Sequence, residues 1–116
     1  MGLHKAYLGR LTITNAAGAG AYSNVLRARE LAFASAIVFY NPAAFTGTIN
    51  VYVGGSEDTA ANLSGPLYNN GSAVTLTAAR VERHEVNGFE SIQIKTSGTE
   101  ASDRNVDVYA ILMIGD

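Results

Sequence analysis

From Thr46 to Val53 apolar and polar side chains alternate: Ile49, Val51 and Val53 fall on one face, Thr48, Asn50 and Tyr52 on the other. A period of two is the mark of a half-buried strand. Similar runs recur along the chain. Tyr7–Thr14 reads as a first strand, with Tyr7, Leu11 and Ile13 on one face and Leu8, Arg10 and Thr12 on the other. Asn24–Arg27 reads as a short strand. Leu31–Tyr40 is the most apolar stretch and reads as a central strand covered on both faces, stopped by Asn41-Pro42. Ala73–Thr77 turns Val74 and Leu76 inward. Ala78–Val86 reads as a turn and a short edge strand whose charges discourage edge-to-edge pairing. Phe89–Thr96 points Ile92 and Ile94 inward and Ser91, Gln93 and Lys95 outward. Asn105–Ile114 closes the series, with Val106, Val108, Ala110 and Leu112 on one face. Ile111 and Met113 make the second half of this strand apolar on both sides.

Glycine, asparagine and serine punctuate these runs. Asn15–Ala21 is a loop of small residues, and 54–71 is the longest irregular stretch, pinned to the core by Leu63, Leu67 and Tyr68. Asn87-Gly88 is the strongest hairpin signal, because both positions tolerate positive φ. Short strands at near-regular spacing imply an all-β fold. About eight of them suit an antiparallel β-sandwich of jelly-roll type. Residues 1–116 are expected to form a single sandwich domain, with 1–6 as an N-terminal arm preceding the first strand.

Composition narrows the functional classes. The chain has 116 residues, 47% of them hydrophobic, which is enough for a core. A net charge of -2 gives no electrostatic reason to seek nucleic acid. No apolar run is long enough to span a bilayer, so no membrane association is expected. There is no cysteine, which excludes disulfides and thiolate metal sites.

No catalytic constellation emerges. His4 and His84 lack metal-ligand spacing, and His84, beside Glu82 and Glu85, reads as an exposed surface histidine. The Asn15–Ala21 loop lacks the Gly-Lys-Ser/Thr of a phosphate cradle. Glu57 and Asp58 lack the spaced pattern of a calcium loop. Asp103 and Asp107 read as a solvated face beside Arg104 rather than a glycosidase pair. The expectation is a protein that is not an enzyme and uses no cofactor or metal. Outward tyrosines remain: Tyr52 and Tyr109, with Tyr40 beside them, suit either a sugar-stacking platform or a protein interface.

Two segments carry a family resemblance. Asn41-Pro42-Ala43-Ala44-Phe45-Thr46-Gly47-Thr48 leads into an alternating strand. Phe89-Glu90-Ser91-Ile92-Gln93-Ile94-Lys95 is followed by Glu100-Ala101-Ser102-Asp103-Arg104 and a last strand. Together, over 41–114, they resemble small virion structural proteins of tailed bacteriophages, with Gln93 where that pattern often has arginine. The resemblance implies a capsid decoration or cement protein, or a head-fibre component, on the virion surface. Such a protein would form a homo-oligomer, three-fold before two-fold, and bind the major capsid protein. Tyr109, Ile111, Met113 and Tyr52 are the expected contact residues, with Leu3 and His4 of the arm facing the capsid. The alternative is a carbohydrate- or receptor-binding module at a fibre or tail tip.

Overall fold

The computed structural model describes residues 2–55, 60–86 and 88–114. Its strands are β1 (Gly2–Ile13), β2 (Leu26–Arg27), β3 (Ala34–Tyr40), β4 (Ile49–Gly54), β5 (Gly65–Pro66), β6 (Tyr68–Asn69), β7 (Ser72–Ala73), β8 (Thr75–Leu76), β9 (Val81–Glu85), β10 (Ser91–Thr96) and β11 (Arg104–Ile114). One helical turn, α1 (Glu30–Phe33), precedes β3. One antiparallel sheet runs β1-β11-β3-β9, and the other runs β2-β10-β4-β5 with β8 also on β4.

β5 and β8 are two pieces of one interrupted strand. Gly65 and Pro66 face Val53 and Tyr52, while Thr75 and Leu76 face Asn50 and Ile49. Between them the Leu67 N–H reaches the Val51 carbonyl at 2.9 Å, and the Val74 N–H reaches Leu67 at 2.8 Å. The excursion between Leu67 and Val74 is the β6–β7 hairpin. Its turn residues Asn70 and Gly71 have φ of 54° and 79°, the signature of a tight hairpin turn. With β5 and β8 counted together, two four-stranded sheets face each other in the strand order of a jelly roll.

The core lies between the sheets. Leu11, Ile13, Ile37, Phe39, Val106 and Val108 come from the first sheet, and Ile49, Val51, Val53, Ile92 and Ile94 from the second. Each such side chain is worth about 1.5–3 kcal/mol when fully buried. Val74, Leu76, Leu63 and Leu67 are buried as their pattern requires.

Several expectations are corrected. Residues 2–6 are not a separate arm: they extend β1 and pair with β11 as far as Gly2 opposite Ile114. The first strand changes face midway, because its register with β11 shifts between Tyr7 and Gly9. A bulge inserts one residue, which sends Tyr7 outward while Leu11 and Ile13 stay in the core. Gly9 permits this, with φ of 140° and the Leu26 side chain 2.9 Å from where a Cβ would sit. Leu31–Phe33 belongs to α1 and not to the central strand, so Phe33 is exposed while Leu31 is buried. Tyr68 sits on the hairpin and is exposed rather than pinning the loop. Asn87, Glu57 and Asp58 lie outside the described residues, so the Asn87-Gly88 turn and the acidic pair of the 54–71 loop are not described.

Candidate interaction face

Alternation along β1, β11 and β3 places Leu3, Lys5 and Tyr7 opposite Met113, Ile111 and Tyr109, which in turn adjoin Ala36 and Val38. These side chains share the outer face of the first sheet. At its centre Ala36, Val38 and Ile111 form a second apolar cluster, flanked by Tyr40 and Tyr109. The rings pack around it at steep angles: Tyr7–Tyr109 centroids are 5.0 Å apart with planes tilted by 52°, and Tyr40–Tyr109 5.1 Å apart, edge to face. The Lys5 ammonium lies 4.4 Å from the Tyr40 centroid and 4.6 Å from that of Tyr109, and it donates to the Tyr40 hydroxyl. A cation over an aromatic face is attracted by the ring quadrupole, and the lysine stem covers apolar surface beneath it.

Along the strands this face grades from polar to apolar. At the polar end Arg10 Nε donates to Asp107 Oδ1 at 3.0 Å, and its terminal nitrogen to Oδ2 at 3.2 Å. The Tyr7 hydroxyl donates to the same carboxylate at 2.9 Å. The Arg10 hydrogen bond, opposed by partial burial and aided by Tyr7, holds the Asp107 carboxyl below its ordinary range. The hydrogen bond from Tyr7 to Asp107 pushes the Tyr7 phenol up. At the apolar end Leu3 is 60% exposed, Met113 57% and Phe33 72%. Arg29, Glu30, Phe33, Leu112 and Met113 line a groove of about 530 Å³ there.

The expected contact residues therefore separate. Leu3 and Met113 are direct cross-strand partners and are exposed together. Tyr109 joins them on the same face, half-buried in the aromatic cluster. Ile111 is only 8% exposed, covered within its own chain rather than waiting for a partner. His4 is exposed but projects to the opposite side of β1 from Leu3. Tyr52 is on the outer face of the other sheet, 6.4 Å from Tyr22. Tyr52 and Tyr109 thus cannot form one sugar platform, and the Tyr22–Tyr52 rings are tilted by 51°. Phe33 was missed because α1 hides in an alternating pattern, and Tyr7 because a bulge leaves little trace in sequence.

Polar groups elsewhere hold the scaffold. Glu100 is buried and accepts four hydrogen bonds: Thr46 N–H at 2.8 Å, Gly47 N–H at 2.8 Å, Thr96 hydroxyl at 2.6 Å and Arg104 Nε at 2.9 Å. Burial alone would raise its pKa; the Thr46, Thr96, Gly47 and Arg104 donors outweigh this and lower it to about 2. Gln93 points outward on the second sheet, opposite Tyr52, but is buried there. Its amide donates to the Ser23 carbonyl at 2.7 Å and to Asn62 Oδ1 at 3.0 Å, and accepts from Leu63 N–H at 2.8 Å. It fastens the 60–63 loop over the second sheet. His84 is largely buried, its Nε2 3.1 Å from Glu82 and its Nδ1 3.1 Å from Asn69 on the hairpin. Asp103 accepts from Asn15 N–H at 3.0 Å, while Asp107 is engaged by Arg10. Among the described residues no group of three or more His, Cys, Asp or Glu converges to hold a metal.

No protein-family profile matches the chain, and no curated protein matches it. Among solved structures, the chain resembles the SPBc2 prophage-derived protein YomS with a TM-score of 0.56 at 8% identity, over 95% of this chain and 93% of that one. It also matches a chain from Bacillus endospore appendages, described as disulfide-linked pili, with a TM-score of 0.46 at 13% identity, over 96% and 89%. A chain of the cyanophage Pam1 capsid asymmetric unit matches with a TM-score of 0.31 at 17% identity, over 96% and 85%. At 8% identity the YomS likeness speaks to the fold alone.

Proposed function

We propose that this chain is a non-enzymatic structural protein of a tailed-phage virion, most specifically a capsid decoration or cement protein that self-associates and binds the major capsid protein. The observation that carries the reading is the apolar end of the first sheet, where Met113 stands exposed between its cross-strand partner Leu3 and a groove that it lines with Phe33. Clustered exposed apolar side chains mark interaction sites more often than solvent-facing surface. The rings behind them are already packed against one another, so few side chains need ordering on docking. The Tyr7–Asp107–Arg10 group supplies a polar rim, the usual anatomy of a protein interface. The sequence resemblance over 41–114 supports the virion assignment, and the fold shared with a prophage-derived protein is compatible with it. A rigid jelly roll present in many copies would act by adhesion, each contact of standard size adding to avidity.

Light scattering on the purified protein should give a mass of about three times the 12.2 kDa chain. Capsids stripped of the protein should rebind it, and Met113→Glu or Leu3→Glu should weaken that rebinding at least ten-fold while leaving the circular dichroism spectrum unchanged. A strict monomer that ignores stripped capsids refutes the proposal.

A further inference from the structure

The first sheet has two edges, β1 and β9. Half of the β1 edge is already closed: Asn24 Oδ1 accepts from Thr12 N–H at 2.8 Å, and its amide donates to the Arg10 carbonyl at 3.0 Å. The side chain mimics a neighbouring strand. Among the described residues nothing closes residues 3–7 in this way. The other edge is β9, five residues long, with Val81, Arg83 and Glu85 exposed. Its pairing with β3 extends to Val86 N–H on the Ser35 carbonyl and Asn41 N–H on that of Arg80. Even-numbered residues of this segment therefore bond to β3, and the peptide groups of Val81, Arg83 and Glu85 face outward. By the same alternation, reversed across the bulge, those of Leu3, Lys5 and Tyr7 face the open edge of β1.

We infer that the two edges pair with each other between copies of this chain, β1 of one against β9 of the next. This deepens the self-association part of the proposed function and does not depend on capsid binding. Strand directions alternate across β1-β11-β3-β9, so β1 and β9 run oppositely and a head-to-tail junction is antiparallel. The exposed backbone groups on the two sides have the same parity, and their side chains lie on the same outer face. Charge selects the register. Lys5 opposite Arg83 would oppose like charges; a shift of two residues puts Lys5 opposite Glu85 and Tyr7 opposite Arg83. The Lys5 ammonium spends one donor on Tyr40 and has two left. In this register Glu85 of β9 meets the cation of β1, and Arg83 meets the tyrosine. A heterologous junction closes into a ring when its rotation permits.

The chain has no cysteine, so the junction can be read by cross-linking. A hydrogen-bonded antiparallel pair has Cα atoms about 5.5 Å apart, within disulfide reach. Lys5→Cys combined with Glu85→Cys should give covalent oligomers on a non-reducing gel. Either cysteine alone, or Thr12→Cys with Glu85→Cys, should not. Lys5→Glu and Glu85→Lys should each weaken self-association at least ten-fold, and together restore it. An oligomer by light scattering that fails to cross-link overturns the inference while self-association stands. Cross-linking by Lys5→Cys alone overturns it in favour of a two-fold β1 contact. A monomer that still binds stripped capsids overturns it and leaves the capsid reading intact.

Discussion

Replacing Glu100 by glutamine tests whether its carboxylate clamps the fold. One oxygen accepts from Thr46 N–H and Arg104 Nε, the other from Gly47 N–H and the Thr96 hydroxyl. An amide keeps the shape but turns one acceptor into a donor. Whichever way it is oriented, a backbone N–H at Thr46 or Gly47 then faces another N–H. A buried donor left unsatisfied costs about 1–3 kcal/mol, more beside a charge, and Arg104 loses its anionic partner. The pKa gives a second route to the magnitude. A fall from 4.5 to about 2 corresponds to about 3 kcal/mol in favour of the charged form. Both routes place Glu100→Gln at about 3 kcal/mol of lost stability at pH 7.

The pH dependence distinguishes this clamp from ordinary packing. The folded-state pKa lies below the unfolded one, so the contribution is complete above about pH 4.5, declines as pH falls and is gone below about 2. The gap between native protein and Glu100→Gln should therefore be widest at neutral pH and close toward pH 2. Urea unfolding followed by tyrosine fluorescence and circular dichroism measures it, at matched protein concentration so that any association contributes equally. A loss under about 0.5 kcal/mol at pH 7, or a gap that does not narrow in acid, refutes the reasoning.

Two further perturbations read neighbouring contacts. A Cβ at Gly47 would lie 2.3 Å from Thr96 Oγ1 and 2.6 Å from the Gly98 nitrogen, so Gly47→Ala should lower stability by about 1–3 kcal/mol, seen as a lower urea midpoint with an unchanged slope. Gln93→Leu keeps the volume but strands Leu63 N–H and the Ser23 carbonyl; it should cost about 1–3 kcal/mol and speed hydrogen exchange at the Leu63 amide far more than at Ile92.

The sheets were legible because most strands bury one face, and a period of two survives in sequence wherever that holds. β4 and the first half of β11 read correctly for this reason. What escaped reading has a local physical cause. The bulge beside Gly9 shifts register, so a face assigned from Leu11 and Ile13 is wrong for Tyr7. A single helical turn is too short to set its own period, and Phe33 was placed in the core. Asn70-Gly71 sits inside a stretch dense in loop residues, where one turn signal is lost among many. The outward direction of Gln93 was legible and its burial was not, because nothing local announces that a loop about thirty residues away will cover it. The candidate face was half legible: Leu3, Tyr109 and Met113 could be named, but their adjacency depends on a β1–β11 pairing over a hundred residues of separation.

The placement of the clamp also bears on what the resemblance motifs mean. The Thr46-Gly47-Thr48 turn and the Glu100–Arg104 turn, far apart in sequence, are one structure. Glu100 bonds both backbone N–H groups of the first turn, Arg104 and Ala101 reach the Thr46 hydroxyl, and Thr48 N–H donates to Ser97. Such residues are constrained by each other, since altering one leaves a buried partner unsatisfied. Chains sharing them share a way of closing the end of this sandwich. The exposed Leu3 and Met113 lie near the other end of β11, nine residues beyond Arg104 or about 30 Å at the rise of a strand. No hydrogen bond ties these apolar side chains to the clamp. The motifs therefore speak for the scaffold, and partner choice can change at Leu3, Phe33 and Met113 while the motifs stay fixed. Grafting a different apolar set onto those three positions should redirect binding without moving the acid profile that Glu100 imposes; a graft that shifts both would show the two ends to be coupled.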